Sequence, residues 1–329
     1  MTLDHYCTLF SQLKRAPGRV WGPATRNRAP HKPLLLHAVM DLIARGVITS
    51  RFISIEGEIV ELNELFTDYW RSIMPVTQTS SIAFPFSHLN NEIFWKLVPL
   101  PGKEITGPII DSLTTVTQLR NFALGAEIDE ELYLHMTNPD GRKALGAALL
   151  QSCFSEAGQK ALREQSGIHG EAFQYSLVLE SAAHTQKAGE AIFPEKYKAA
   201  ARNQGFRRSI VSHYDHRCAF CRTRIVTSEG HTAVDAAHIV PWSISKNDDI
   251  RNGMALCKLC HWGFDEGLMG VSDNYAVIVS KQVAQKHNSA DAVLDCANKK
   301  MHGPDDKELW PYRPYLASHR DRHREKFRA

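Results

Sequence analysis

The stretch that decides the fold of the C-terminal half is Cys218-Ala-Phe-Cys221, followed by Asp235-Ala-Ala-His238, by Asn252 and by Cys257-Lys-Leu-Cys260-His261. Two C-x2-C pairs bracket His238 and Asn252, and His261 directly follows the second pair. Zn²⁺ takes four thiolates in a tetrahedron, and a two-residue gap lets both sulfurs of one pair reach the same ion. A ββα unit this small buries too little apolar surface to be stable alone, so the metal would supply much of its folding free energy. We therefore predict a structural zinc site formed by Cys218, Cys221, Cys257 and Cys260.

Residues between the two cysteine pairs and directly after the second pair are predicted to form an active site. His238 follows a strand-like run and should end one arm of a β-hairpin, where a neutral imidazole can take a proton from water. Asn252 lies on the returning loop and could orient His238 or bind the metal-proximal backbone, although Asn-Gly is also an ordinary turn dipeptide. His261 and Asp235 are the predicted ligands of a catalytic cation, Mg²⁺ or Mn²⁺, that would polarise a phosphodiester. Asp265 is a weaker candidate ligand, and we favour a role for it in bracing the helix.

These residues, in this order, resemble the HNH nuclease signature over residues 207–280, in the branch of McrA-like enzymes that cut modified DNA. The resemblance implies a ββα-metal fold with His238, Asn252 and His261 as the catalytic residues. Many HNH enzymes carry a metal-binding His or Asp directly before the general base, whereas this chain has Ala237. Asp235 is our substitute for that ligand.

Length and composition allow two domains. The chain has 329 residues, of which 43% are hydrophobic and 23% charged, with a net charge of +3. Because this charge is small, binding to nucleic acid would depend on local basic patches. No run of eighteen apolar residues and no leader-like segment at Met1 occurs, which leads us to expect a cytoplasmic protein that does not bind membranes.

The N-terminal half is predicted to be mainly helical. A helix spans residues 2–15, a basic loop containing Arg28 follows, and a nearly continuous apolar run then indicates a buried helix that Gly46 ends. Another helix is predicted over residues 56–70. Phe84-Pro85-Phe86 has the composition of a packed turn.

This half is similar, over residues 4–154, to the sulfur-binding domain that reads phosphorothioate-modified DNA backbones. The resemblance implies that Phe84, Pro85 and His88 line an apolar pocket for the sulfur, with His31, Lys32 and Arg28 beside the adjoining backbone. Phe84 stands where a tyrosine is usual and His88 where a small residue is usual. Sulfur is larger and a poorer hydrogen-bond acceptor than oxygen, so an apolar wall costs it less desolvation.

Three domain segments are predicted: residues 1–160 for recognition of modified DNA, 161–206 as a helical connector and 207–329 as the nuclease. Within the connector, residues 163–170 are expected to form a linker or exposed turn, and Lys196, Lys198 and Arg202 a solvated helix face. Arg207 and Arg208 are expected to contact phosphates. A strand at residues 275–279 should extend the nuclease sheet. The basic segment 319–328 is read as a DNA-binding helix or a solvated tail.

The combined prediction is an α+β protein with a mainly helical DNA-reading domain and a zinc-stabilised ββα-metal HNH domain. It would act as a restriction endonuclease on double-stranded phosphorothioate DNA, with a homodimer as the expected assembly. Two alternatives stay open. The HNH unit could be an inert zinc-containing DNA-binding module, or the N-terminal domain could read methylated bases or bind a protein.

Overall fold

Asn138 and Pro139 begin one of the helices that build the N-terminal half, and they illustrate how local sequence sets the boundaries. The Asn138 side chain accepts hydrogen bonds from the backbone N–H groups of Asp140 and Gly141, and Pro139 occupies the first turn.

The computed structural model describes residues 1–189, 197–227, 230–285 and 288–328. It divides into a unit of Met1–Gly167 with Thr227–His231 and a unit of Ile168–Val226 with Thr232–Ala329.

The first unit packs helices around a three-stranded antiparallel sheet with strand order β1-β3-β2. Its helices are α1 Leu3–Ser11, α2 His31–Ala44, α3 Ile59–Ile73, α4 Ala83–His88, α5 Gly107–Ser112, α6 Val116–Arg120, α7 Glu130–Thr137 and α8 Pro139–Cys153. Its strands are β1 Phe52–Ser54, β2 Trp95–Pro99 and β3 Ala123–Ile128. The predicted packed turn at Phe84 is therefore a short helix, α4.

Helix α2 is the centre of this unit, as its apolar run predicted. Leu34, Leu35 and Leu36 are all fully buried, because a helix that is hydrophobic on every face is stable only inside a core. Gly46 follows the helix with a φ of +71°, a left-handed conformation that glycine adopts without steric cost.

The second unit contains α10 Ala199–His213, α11 Trp242–Ser245, α12 Lys258–Asp265, α13 Asp291–Leu294, α14 Arg313–Arg322, α15 Arg324–Arg328, β4 Val234–His238, β5 Gly253–Cys257, β6 Met269–Val271 and β7 Val277–Val279. Helix α9, Glu156–Thr185, contains the division between the units. Among the described helices, none combines the length and apolar character needed to cross a membrane.

Three expectations about this half are corrected. Residues 163–170 lie inside α9 and form no exposed turn. Strand β7 pairs with β6 in a separate two-stranded sheet, not with the β4–β5 hairpin. The segment 319–328 is not a solvated tail, because His319 is buried in it and its ring stacks on Phe264 at 3.7 Å. The predicted position of Lys196 lies outside the described residues.

Candidate functional site

Strands β4 and β5 form an antiparallel hairpin, and α12 begins at the residue after β5. His238 ends β4 and lies opposite Gly253, the first residue of β5. A Cβ added to Gly253 would lie 2.4 Å from Cδ1 of Ile210 on α10. Glycine at this position therefore lets α10 pack closely against the hairpin beside His238. The two strands and α12 form a ββα unit, and α10 packs against it.

The four predicted zinc ligands form one cluster. The Sγ atoms of Cys218, Cys221, Cys257 and Cys260 all lie within 4.8 Å of one another. Zn–S bonds of about 2.3 Å in a tetrahedron require S–S separations of about 3.8 Å, and the sulfurs of Cys221 and Cys257 are 3.7 Å apart. The residues present thus fit a structural Zn²⁺ ion.

The ring of His238 is fixed by Phe206 and Asp248 and is partly exposed to solvent. Its ring stacks on Phe206 of α10, with centroids 4.0 Å apart and planes 8° from parallel. Its Nε2 lies 2.7 Å from Oδ1 of Asp248, and its side chain keeps 21% exposure. Among the described residues, its Nδ1 makes no hydrogen bond. A partly exposed imidazole with one free nitrogen is suited to proton transfer.

Asp248 is the residue that sequence analysis missed. It is fully buried, and its second oxygen, Oδ2, accepts hydrogen bonds from the Tyr175 hydroxyl and from Nη1 of Arg202, both at 2.9 Å. The expected solvated position of Arg202 is therefore wrong. Arg202 is 9% exposed, and its guanidinium also stacks 3.6 Å above the Trp242 ring. Only the pair of acidic residues in Asn247-Asp248-Asp249 could have drawn attention to this loop, and no spacing rule connects that pair to His238.

Asn252 braces the loop between the two strands. Its Oδ1 accepts from the Val240 N–H at 2.9 Å, and its Nδ2 donates to the carbonyls of Val240 and Asn247 at 3.1 and 3.0 Å. The side chain is fully buried. Both backbone partners lie between His238 and Asp248, so Asn252 holds the loop that connects these two residues.

His261 lies in the first half of α12, and its Nε2 is 3.5 Å from Oδ2 of Asp265 one turn later. Asp265 also attracts the guanidinium of Arg322, although burial is the larger influence and lowers the Arg322 pKa. Nη2 of Arg322 donates to the carbonyl of Ile239, the residue after His238, at 2.6 Å. Arg322 is thus anchored at the residue that follows His238.

Helix α14 supports this arrangement through His319. Burial lowers the pKa of His319 to about 3, so its ring is neutral at physiological pH. The ring stacks on Phe264 of α12, and its Nε2 donates to the Phe264 carbonyl at 2.9 Å. The C-terminal basic segment therefore fixes α12 and also brings Arg322 to the end of β4.

The carboxylate of Asp235 is already bound by two cations. Residues three apart in a strand point to opposite faces, so Asp235 is directed away from the face of His238. Its two oxygens bind Nε of Arg207, at 3.2 Å, and Nζ of Lys258. Burial opposes ionisation, but the hydrogen bonds from Lys258 and Arg207 outweigh it and lower the pKa of this carboxyl. Asp235 is thus engaged in ion pairs, and so is Arg207, one of the two expected phosphate contacts.

Within the described part of the chain, the cysteine cluster is the one place where three or more potential metal ligands converge. A catalytic cation near His261 would therefore have few protein ligands. Mg²⁺ is commonly bound in this way, since it keeps several waters and takes the remaining ligands from one or two carboxylates and the substrate phosphate. His261 and Asp265 offer such a partial set.

In the first unit, three residues of the predicted sulfur pocket belong to a cluster of rings that we call the aromatic cage. It consists of Trp21, His31, Trp70, Phe84 and His88. The His31 ring lies 5.1 Å from Trp21, 4.8 Å from Trp70 and 5.0 Å from Phe84, measured between centroids. His88 stacks on Phe84 at 4.1 Å, and Pro85 is a buried residue of the same helix, α4. Trp21 and Trp70 were not predicted to lie here, because they come from separate segments of the chain.

The buried histidine of the cage, His31, is uncharged at physiological pH. Burial, with a smaller contribution from His88, lowers the pKa of His31 to about 4. Nδ1 of His31 is buried without a hydrogen-bond partner among the described residues, and Nδ1 of His88 donates to the Phe84 carbonyl at 2.9 Å. Phe84 keeps 37% exposure. The result is an aromatic wall that contains a neutral His31 and one exposed ring, Phe84.

The cations expected beside the pocket have different environments. Nζ of Lys32 is 2.6 Å from Glu92, and both side chains are largely buried, so Lys32 is already paired. Arg28 is exposed. Asp111 approaches Nε2 of His88 at 3.4 Å. Arg28 is therefore the predicted cation best placed to meet a ligand from solvent.

Comparisons with known proteins agree with this division of the chain. Residues 218–272 match the family described as HNH endonuclease, and residues 18–171 match the family described as ScoMcrA-like, DNA sulfur-binding domain. The chain thus contains one segment similar to HNH endonucleases, a class of nuclease, and another similar to DNA sulfur-binding domains. The predicted α+β class and the recognition of both families are confirmed.

Among solved structures, the chain is similar to one titled "Modification dependent TagI restriction endonuclease", with 21% identity and a TM-score of 0.27. The similarity covers 36% of this chain and 36% of that chain. No curated protein matches the chain.

Proposed function

We propose that this protein is a modification-dependent restriction endonuclease that recognises phosphorothioate DNA through its first unit and hydrolyses a phosphodiester at the HNH site of its second. The observation that carries the nuclease assignment is His238. Its partly exposed ring lies at the end of a ββα hairpin, within a match to the HNH endonuclease family.

In the proposed reaction, His238 removes a proton from the attacking water. Asn252 keeps the loop that carries His238 in place, through its three hydrogen bonds to backbone. His261 and Asp265 would hold a divalent cation, in place of the pair His261 and Asp235 predicted from sequence. Such a cation, when bound, stabilises the charge that develops on the leaving oxygen.

Arg322 adds a positive charge to this region. Its Nη2 binds the carbonyl of Ile239, which leaves further N–H groups of the guanidinium for a phosphate oxygen. Arg322 lies outside the segment that matches the HNH family. We assign it to binding of the DNA backbone beside the scissile phosphate.

The aromatic cage supports recognition of sulfur. An apolar wall disfavours a phosphate oxygen, which loses hydrogen bonds to water there, more than it disfavours the more polarisable sulfur. The exposed ring of Phe84 is the surface that a sulfur atom would contact, and the exposed Arg28 would contact the neighbouring backbone. Affinity would then come from the cation and selectivity from the cage.

One set of matched duplexes tests the proposal. They share a sequence and carry an unmodified backbone, one phosphorothioate per strand, or methylated bases. We expect tightest binding to the phosphorothioate duplex, and cleavage of that duplex alone when Mg²⁺ or Mn²⁺ is added. Equal affinity for oxygen and sulfur backbones would remove the pocket assignment, and an uncut phosphorothioate duplex would remove the nuclease assignment. The homodimer and the cytoplasmic location stay predictions.

A further inference from the structure

The loop between β4 and β5 carries a carboxylate, Asp248, that contacts His238 and has no assigned role. Three donors converge on it. Nε2 of His238 lies 2.7 Å from Oδ1, while the Tyr175 hydroxyl and Nη1 of Arg202 each lie 2.9 Å from Oδ2. The carboxylate is fully buried.

We propose that Asp248 is a positioning residue that keeps the proton of neutral His238 on Nε2 and leaves the lone pair of Nδ1 as the base. This inference rests on the proposed role of His238 in deprotonating water. It deepens that role by stating which ring nitrogen accepts the proton and which residue determines the choice.

The chemistry of the donors and acceptors leads to this assignment. An ionised carboxylate can only accept hydrogen bonds, so a contact of 2.7 Å requires a proton on Nε2. Neutral imidazole carries a single N–H, and Nδ1 must then have the free lone pair. Among the described residues Nδ1 has no hydrogen-bond partner, which leaves it available to a water molecule.

The other two partners keep Asp248 an acceptor. Arg202 is a permanent cation whose guanidinium pairs with Oδ2 in a buried position. Burial and the Asp248 charge both raise the pKa of Tyr175, so its hydroxyl keeps its proton and donates. A protonated Asp248 would lose its attraction to Arg202, and the geometry therefore favours the ionised carboxylate.

Residues outside the HNH match fix the ring in place. Phe206 of α10 stacks on His238 nearly parallel to it, at 4.0 Å. Arg202 of α10 stacks on Trp242 while it pairs with Asp248, and Tyr175 belongs to α9. Helices α9 and α10 thus determine how the HNH histidine presents its free nitrogen.

The decisive measurement is the tautomer of His238, read by long-range ¹H–¹⁵N NMR on the full chain labelled with ¹⁵N-histidine. The His238→Ala variant identifies the signals. We expect the neutral ring of the unsubstituted protein to carry its proton on Nε2. A neutral ring protonated on Nδ1 would overturn the proposal, whether or not the protein cuts DNA.

The Asp248→Asn variant extends the test to catalysis. Its amide can donate to Nε2 and thereby move the ring proton to Nδ1, so we expect the changed tautomer and a cleavage rate lower by about 10²–10⁴-fold, as when an orienting carboxylate is replaced elsewhere. Affinity for phosphorothioate DNA should not change. A wild-type cleavage rate in this variant would contradict the inference.

Asp249→Asn is the matched control. Asp249 is equally buried and pairs with Arg251 at 2.9 Å, but it has no contact with His238. This variant should lose stability while His238 keeps its proton on Nε2. If Asp249→Asn changed the tautomer as Asp248→Asn does, the effect would be a general loosening of the loop and the positioning role would be wrong. If the unsubstituted protein fails to cut any duplex, the nuclease proposal fails separately, because the tautomer is still measured.

Discussion

His31 and His238 are the same side chain in two contrasting environments. His31 is surrounded by Trp21, Trp70 and Phe84 and leaves a buried nitrogen without a hydrogen-bond partner among the described residues. His238 stacks on the ring of Phe206 and donates a hydrogen bond from Nε2 to the Asp248 carboxylate, while its Nδ1 has no hydrogen-bond partner among the described residues. The first environment makes an imidazole act as an apolar surface, and the second makes it a candidate base. Which role a histidine has is decided by the polar groups around it, not by its aromatic neighbours.

The largest expected effect concerns the four-cysteine cluster of the second unit, the unit that contains His238. Replacing Cys257 with Ser, or removing zinc with a chelator, should unfold the second unit, because a structural zinc contributes about 10 kcal/mol or more to folding. Metal content and thermal unfolding measure this, and binding of phosphorothioate DNA by the first unit should persist. Cys296→Ser is the control, since Cys296 is buried in the same unit outside the cluster. A Cys257→Ser protein with unchanged zinc content and melting temperature would contradict the assignment.

His238→Ala should lower the cleavage rate by about 10²–10⁴-fold, the usual contribution of a general base. Gel assays with the phosphorothioate duplex measure the rate, and a binding assay should give an unchanged dissociation constant. His213→Ala provides the comparison, because His213 ends α10 and contacts Glu180 instead of Asp248. Retained cutting by His238→Ala would remove this residue from the base role.

Acid should destabilise the first unit through His31. The unfolded ring binds a proton below its ordinary pKa of 6.5, whereas the folded ring resists protonation down to about 4. Stability is therefore lost as pH falls from about 6.5 to 4, by up to about 3 kcal/mol. Urea unfolding followed by tryptophan fluorescence measures this loss, since Trp21 and Trp70 touch the ring.

His31→Gln should flatten that pH dependence. Unfolding that depends on pH equally with and without His31 would mean that other buried histidines, such as His37, account for the effect.

The smallest expected effect is on selectivity. Phe84→Ala should weaken binding of the phosphorothioate duplex by about tenfold, or about 1.4 kcal/mol, through loss of apolar contact area. Binding of the unmodified duplex should change much less. Leu134→Ala, which trims another exposed apolar side chain of the same unit, is the control. An equal loss for both duplexes would show that Phe84 contributes general affinity and no selectivity for sulfur.

Sequence reasoning succeeded where a function depends on residues close together in the chain. The spacing of two C-x2-C pairs predicted the cluster of four cysteine thiols. The strand-like run before His238 predicted the place of this residue at the end of a hairpin arm. The same reasoning selected Asp235 as a metal ligand because it is near His238 in sequence. In a strand, that spacing puts the two side chains on opposite faces.

What the sequence determined by itself was the ββα unit with its four thiols and the buried helix α2, since spacing and local apolar pattern specify both. The tertiary structure alone decided which groups surround each histidine. Tyr175, Arg202 and Asp248 meet at His238 from three segments, and Trp21, Trp70 and Phe84 meet at His31 from three others. These contacts depend on how whole helices pack against each other. A local pattern of residues does not specify the distance between segments that are far apart in the chain.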